Sequence, residues 1–261
     1  MDKECALLVF AKPPIPGLVK TRLSRERGGP LTRQEAAEFF SCSLLDVLDA
    51  ADDALDELQA GPDAAGRSYR LVICTAPGEG LAAMRAAAEG AGERRRPITY
   101  LEDEGEGFEE RFAGAFKRLF ARGADSVVAI GADTPAMPRA HLVGAFRQLA
   151  RLREDFGRPG FVMAPCQESG IALVGCDADT PISHEGVYYR EDGRAALDVY
   201  RERVEAAGIP CACLPPVSDV DDAEDLRRLV SHARALRAAS AYQDEARPPR
   251  HVLDWADRRG L

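Results

Sequence analysis

Short apolar runs alternate along the chain with longer segments whose apolar residues recur at helical spacing. The runs predict strands at 6–11, 70–74, 98–101, 126–131, 161–166, 171–175 and 211–214, and the longer segments predict helices at 32–58, 81–89, 108–121, 139–153, 193–207 and 223–239. Strands separated by helices of this length indicate an α/β fold with three layers, α/β/α, around a mostly parallel sheet. The link at 167–170 is short enough for a hairpin, so one antiparallel strand and a mixed sheet are expected.

The domain boundary is predicted near residue 239. Residues 1–239 are expected to form one α/β domain, because a chain of 261 residues is long enough to bury a substantial core. The segment 240–261 is polar apart from a proline pair and the single tryptophan, Trp255. Trp255 is expected to pack this tail against the domain or against a partner subunit of a homo-oligomer.

Composition narrows the class of protein. The hydrophobic content of 46% is ordinary for a water-soluble protein, and no apolar run is long enough to cross a bilayer. The first residues lack the features of a signal peptide, so the cytoplasm is the expected compartment. A net charge of −9 argues against general nucleic-acid binding, and any phosphate site must be local. The seven cysteines show neither a disulfide framework nor zinc-ligand spacing.

The clearest candidate for chemistry is Asp133. The apolar run 127–130 is followed by Gly131-Ala132-Asp133-Thr134-Pro135, which delivers Asp133 to the carboxyl edge of the predicted sheet. Ligands of open α/β sheets bind at that edge, where a carboxylate can hold a divalent cation that bridges phosphate oxygens. The alternative is that Asp133 only caps the helix that begins near Pro138.

The loop after the first strand, residues 10–23, carries three cations: Lys12, Lys20 and Arg22. Phosphate loops commonly lie at this position, but the three prolines of this loop have no N–H to offer an anion. Lys12, Lys20 and Arg22 would therefore supply the positive charge for a phosphate group. The alternative is a solvated basic turn.

Two further segments bear carboxylates. Asp219 or Asp221 is the natural second cation ligand if the segment before the last predicted helix folds over Asp133; one of the acids at 221 and 222 is also expected to cap that helix. Glu168 is the lone carboxylate of the turn between two buried strands, where it would face the cleft. A plain hairpin turn explains Glu168 about as well.

The order of these motifs resembles a bacterial family. The loop 10–23, the Gly-x-Asp-Thr-Pro element at 131–135, the hairpin at 165–175 and the segment 219–226 are similar in order to those of the DUF2064 family. This is a group of proposed glycosyltransferases of GT-A (nucleotide-diphospho-sugar transferase) fold, related to the molybdenum-cofactor guanylyltransferases. The resemblance spans about residues 5–235, and residues 109–111 match a Gly-Glu-Arg-like stretch of the relatives.

The resemblance implies a metal-dependent glycosyltransferase that uses Mg²⁺ or Mn²⁺ and a nucleotide sugar. Asp133 would be the metal-binding acid, Asp219 or Asp221 its partner, Lys12, Lys20 and Arg22 the phosphate ligands, and Glu168 the candidate base. Relatives typically read Asp-Gly-Gly-Tyr where this chain reads Glu-Ser-Gly-Ile at 168–171, so a phenol is lost. Two alternatives stay open: a nucleotidyltransferase that uses a nucleoside triphosphate, and a degenerate nucleotide-binding domain without turnover.

Overall fold

A mixed sheet of seven strands lies at the centre of the fold. The computed structural model describes residues 2–90, 92 and 94–261. Its strands are β1 (Lys3–Phe10), β2 (Arg67–Thr75), β3 (Ile98–Glu102), β4 (Ala124–Ile130), β5 (Phe161–Pro165), β6 (Ile171–Asp177) and β7 (Cys211–Cys213). The strand order is β3-β2-β1-β4-β6-β5-β7, and β6 is antiparallel to both of its neighbours while the other described pairs are parallel. The predicted mixed sheet is confirmed.

Helices cover both faces of the sheet. They are α1 (Arg33–Ala60), α2 (Glu79–Glu89), α3 (Phe108–Ala121), α4 (Arg139–Phe156), α5 (Ala196–Ala207), α6 (Ala223–Ala239) and α7 (Arg250–Arg259). Alternate residues of a strand serve opposite layers: Leu7 and Val9 pack with α1, α2 and α4, whereas Ala6 and Leu8 pack with α3. The central parts of β1, β2 and β4 are apolar because both faces are buried, and the predicted three-layer arrangement is confirmed.

The segment after residue 239 contains a helix that the sequence pattern did not predict. Helix α7 buries Trp255, whose side chain is 1% exposed and whose ring centroid lies 5.3 Å from that of Phe39 in α1. Asp46 of α1 accepts hydrogen bonds from the backbone N–H groups of His251 and Val252, each at 2.9 Å. Asp46 thus satisfies free donors of the first turn of α7 and attaches it to α1.

None of the helices in the described part of the chain combines the length and the apolar character that a membrane crossing requires.

Gly175 marks a close approach of three strands. A methyl group at this position of β6 would lie 2.9 Å from Val128 Cγ2 of β4 and 2.9 Å from Val162 Cγ1 of β5. We expect Gly175→Ala to lower the free energy of unfolding by about 1–3 kcal/mol, because the added carbon overpacks a filled core. Urea denaturation of the two proteins measures the difference.

Gly144→Ala is the matched control for that substitution. Gly144 lies within α4, and an added methyl group would meet only Leu214 Cδ2, at 4.0 Å. It should raise the free energy of unfolding by about 0.5–1 kcal/mol, the usual gain of alanine over glycine inside a helix. Equal effects of the two substitutions would contradict the close strand approach.

The contact between α1 and α7 is expected to weaken as the pH rises. Burial raises the pKa of the Asp46 carboxyl to about 7, although its two backbone hydrogen bonds act in the opposite direction. The hydrogen bond to Asp49 raises the pKa of His251 above its ordinary value. Both groups bind a proton more tightly in the folded chain than in the unfolded one. Their contribution to stability is therefore present at low pH and lost as the pH rises through the folded pKa.

We therefore expect the contribution of this contact to the free energy of unfolding to fall between about pH 4 and pH 8. Asp46→Asn should flatten this fall by at least about 1 kcal/mol, because asparagine does not titrate. Urea denaturation across this pH range gives both profiles. Parallel profiles in the native protein and the variant would contradict the role given to Asp46.

Candidate functional site

A cleft of about 580 Å³ opens at the carboxyl edge of the sheet, among the loops that follow β1, β3 and β4. This is the position at which open α/β sheets bind ligands. The cleft brings together five of the residues that the sequence predicted for the site, and they are Lys12, Lys20, Arg22, Asp133 and Asp221.

Lys20 joins two of the loops around the cleft. Its side chain is only 7% exposed, and its ammonium group lies 3.6 Å from Asp133 Oδ2 and 3.4 Å from Asp221 Oδ1. It also donates a hydrogen bond to the Val220 carbonyl at 2.5 Å. A left-handed backbone (φ 45°) at Lys20 precedes a short turn at Thr21–Leu23. One nearly buried cation therefore bridges two carboxylates from distant parts of the chain.

Asp133 lies at the end of a tight turn after β4. Its Oδ1 is so close to Gly131 that a methyl group there would lie 2.4 Å from it. Its backbone carbonyl accepts the N–H of Val220 at 3.1 Å, which holds the acidic segment 219–222 against the turn. Helix α4 has Pro138 as its N-cap and no side-chain cap. Asp133 therefore does not cap α4, and its carboxylate lines the cleft.

The acidic segment divides its carboxylates between the helix and the cleft. Asp222 is the N-cap of α6 and completes a capping box with Asp225. Asp221 points away from this cap: it lines the cleft and lies 3.3 Å from the guanidinium of Arg22 and 3.4 Å from Lys20. The cap expected at 221 or 222 is therefore Asp222.

Asp219 lies beside Asp133 but lines a separate cavity. The Gln167 side-chain amide donates to the Asp219 carbonyl and accepts the Asp219 N–H, each at 2.9 Å. Burial, and next the negative charge of Asp133, raise the pKa of Asp219 to about 6, while a hydrogen bond from Cys166 lowers it. That separate cavity has a volume of about 330 Å³ and also contains Gln167 and His232. Gln167 thus fixes the backbone of Asp219, two residues before Asp221.

Glu168 has a different position from the other predicted site residues. It is exposed, has a left-handed backbone (φ 54°), and follows Gln167 in the turn between β5 and β6. It is not among the described residues that line the cleft. Its role as a base stays a prediction.

The structure adds residues to the cleft that sequence reasoning did not select. They include Leu18, Asp103, Glu106, Phe108, Arg111 and Tyr189, most of which belong to the loop after β3 and the start of α3. Asp103 directly follows β3, and Asp133 lies in the turn after β4. Asp133 was selected because it is an acid near the carboxyl end of a strand, and Asp103 meets the same criterion. Tyr189 lies in an irregular segment that carries no periodic pattern.

The stretch at 109–111, which resembles the Gly-Glu-Arg of the relatives, lies in the first turn of α3 and holds loops beside the cleft. Glu109 accepts the backbone N–H groups of Gly186 and Tyr188, at 2.9 and 2.5 Å. Arg111 donates to the Gly105 carbonyl at 2.8 Å. Neighbouring residues of one helix turn therefore hold two loops of the cleft.

The acids of the cleft fit a divalent cation. The carboxylates of Asp133 and Asp221 are 39% and 50% exposed, so both are accessible from the cleft. Carboxylate oxygens are the ligands that Mg²⁺ and Mn²⁺ prefer, and Mg²⁺ often takes one or two of them together with substrate phosphates and water. Lys20, which lies near both, is the competing cation.

Another acidic group lies elsewhere. Asp46, Asp49 and His251 place one ligand atom each within 4.8 Å of one another, and in the described residues this is the single group of three that does so. Its carboxylates already serve the contact between α1 and α7: Asp46 accepts two backbone N–H groups, and Asp49 pairs with Arg94 and Arg250. This group therefore has a structural explanation without an ion.

A family model matches part of the chain. Its family, described as "uncharacterized protein conserved in bacteria" (DUF2064), matches residues 63–189. The resemblance to the DUF2064 family is confirmed. The matched part contains the Asp133 turn and the hairpin of β5 and β6, whereas the basic loop at 10–23 and the acidic segment lie outside it. No curated protein matches the sequence.

Solved structures share the fold of this chain. A proposed nucleotide-diphospho-sugar transferase from Desulfovibrio desulfuricans G20 is 23% identical, with a TM-score of 0.69 over 99% of this chain and 96% of that one. A nucleotidyl transferase from Methanothermobacter thermautotrophicus is 14% identical (TM-score 0.51; 89% and 98% covered). CMP:2-keto-3-deoxy-manno-octonic acid synthetase with CTP is 12% identical (TM-score 0.50; 91% and 100% covered). The nucleotide-diphospho-sugar transferase-like fold is thereby confirmed.

The contact between Gly131 and Asp133 can be tested directly. In Gly131→Ala the added methyl group forces the Asp133 carboxylate to move, since the two would be 2.4 Å apart. We expect the affinity for a Mn²⁺–nucleotide to fall roughly tenfold, which corresponds to about 1.4 kcal/mol, while the protein stays folded. Isothermal titration measures the affinity and circular dichroism the fold. Unchanged affinity would show that the position of this carboxylate does not matter for binding.

Proposed function

We propose that this protein is a metal-dependent glycosyltransferase that moves a sugar from a nucleotide-diphosphate sugar to an acceptor. The observation that carries the proposal is the juxtaposition of Asp133 and Asp221 with Lys12, Lys20 and Arg22 in one cleft at the carboxyl edge of the sheet. Cations together with carboxylates suit a diphosphate and its divalent cation. The likeness of the fold to a proposed nucleotide-diphospho-sugar transferase supports the same class.

The side chains of the cleft have distinct proposed tasks. Lys20, Arg22 and Lys12 bind the diphosphate and stabilise the negative charge that develops on the leaving nucleoside diphosphate. Asp133 and Asp221 hold the divalent cation, with Asp219 as a further candidate ligand. When bound, Mg²⁺ or Mn²⁺ neutralises the diphosphate as the glycosidic bond breaks. Lys20 also keeps the two carboxylates together before a ligand enters.

The acceptor requires a base if the reaction inverts the configuration of the sugar. We propose Glu168 for this task, because it is the lone carboxylate in the turn between β5 and β6. Since Glu168 lies outside the lining of the cleft, the role requires an acceptor that binds between this turn and the cleft.

A nucleotidyltransferase is the second candidate. In that reaction a phosphorylated acceptor attacks the α-phosphate of a nucleoside triphosphate, and the same cations stabilise the pyrophosphate. The fold likeness to a nucleotidyl transferase and to a synthetase solved with CTP favours this candidate. The prolines of the loop 10–23 count against it, because they offer few N–H groups to a triphosphate.

Ligand-induced stabilisation tests the proposal. The native protein is heated with Mn²⁺ or Mg²⁺ and a panel of nucleotide sugars and nucleoside triphosphates. A ligand at about 100 times its dissociation constant stabilises the folded state by about 2.7 kcal/mol, a rise of several degrees in Tm for a protein of this size. We expect a metal-dependent rise with a nucleotide sugar that disappears in Asp133→Ala.

Asp155→Ala is the matched control, because Asp155 is a half-exposed acid of α4 that pairs with Arg151 outside the cleft. Asp155→Ala should keep the metal-dependent rise in Tm. The released product then separates the two enzyme classes: a nucleoside diphosphate indicates glycosyl transfer and pyrophosphate indicates nucleotidyl transfer. Binding without product from either donor class would favour the degenerate domain, and a full response in Asp133→Ala would refute the site.

A further inference from the structure

Tyr189 is an exposed aromatic side chain that the proposed chemistry does not use. Its exposed fraction is 85%, and it lines the same cleft as Asp133, Asp221 and Arg22. Exposing an aromatic ring to water forgoes the favourable burial that its apolar surface would gain in a core. A role in the packing of the fold therefore does not account for Tyr189.

The backbone around Tyr189 is held in an uncommon conformation. Its φ of 51° lies in the left-handed region, which is costly for a bulky residue. The loop before it is fixed by Glu109, which accepts the N–H groups of Gly186 and Tyr188. The Tyr189 ring is perpendicular to that of Phe108, with centroids 5.4 Å apart. The surrounding contacts therefore present this ring to the cleft instead of letting the loop relax.

Tyr189 belongs to the acidic part of the cleft. The charges of Asp133, Asp221 and Arg22 act on its phenol. These charged residues are the ones to which the proposed function assigns the cation and the diphosphate. A ring beside these residues lies within reach of the groups attached to the diphosphate, which in the proposed donor are a sugar at one end and a nucleoside at the other.

We propose that Tyr189 binds the sugar of the nucleotide-sugar donor by packing its ring against it. The role rests on the proposed function and deepens it. Sugar rings carry apolar C–H faces that suit the negative face of an aromatic ring, and pockets for such ligands commonly use aromatic side chains.

Paired ligands isolate the contact to the sugar. Dissociation constants are measured in the presence of Mn²⁺ for UDP-glucose and UDP, GDP-mannose and GDP, and ADP-glucose and ADP. For the pair that binds, we expect Tyr189→Ala to weaken the nucleotide sugar roughly tenfold and the matching diphosphate less than about twofold. Tyr189→Phe should retain most of the affinity, since it keeps the ring.

Tyr242→Ala is the matched control, because Tyr242 is 93% exposed and does not line the cleft. It should change neither affinity. Equal affinities of the native protein and Tyr189→Ala for the nucleotide sugar would overturn the role of Tyr189 alone. An equal loss of affinity for the nucleotide sugar and for the matching diphosphate would also overturn it, since the ring would then contact the nucleotide. If no nucleotide binds to the native protein, the proposed function and this role fall together.

Discussion

The site depends on the neutralisation of one nearly buried ammonium group. A charge removed from water is costly unless it is paired and hydrogen-bonded, so Lys20 requires its two carboxylates and the Val220 carbonyl. Val220 and Asp221 lie 200 and 201 residues further along the chain than Lys20, and Asp133 lies in the turn after β4. The ion contacts therefore fix three loops that the sheet alone would bring only to the same edge. Without Lys20, Asp133 and Asp221 would repel each other at that edge.

Much of the fold was predictable because the patterns of strands and helices depend only on residues close together in the sequence. Buried parallel strands are apolar at every position, and helices show a 3.6-residue period, so the elements of the sheet region follow from the sequence. Helix α3 has the predicted bounds, Phe108–Ala121, whereas β2 begins earlier, at Arg67, where it pairs with Lys3 of β1. That extension depends on the neighbouring strand and carries no local signal. Helix α7 was missed although its buried residues Val252, Leu253, Trp255 and Ala256 have helical spacing, because this apolar stripe covers little more than one turn and follows a proline pair.

The candidate site was predictable only where residues follow strands. Asp133 was identified by its position after an apolar run, and the structure places it in the cleft with the basic loop. The pairing of Lys20 with Asp221 needed tertiary structure, since the sequence left Asp219 and Asp221 equivalent. Tyr189 could not be selected at all, because its place in the cleft comes from the hydrogen bonds of Glu109 to a distant loop. Asp133 could thus be selected from the local sequence, the partners of Lys20 only in part, and Tyr189 only from the tertiary structure.

The attachment of α7 to α1 has a consequence for synthesis on the ribosome. Phe39 and Asp46 emerge early, but their partners Trp255 and Val252 are made roughly 200 residues later, and 206 residues separate Asp46 from Val252. During that interval the outer side of α1 carries Phe39 and Asp46 without the contacts that α7 provides in the complete fold. Contacts of such long range are slow to form, and exposed apolar surface on a growing chain favours aggregation. The surface of α1 that carries Phe39 therefore stays uncovered until α7 has been made.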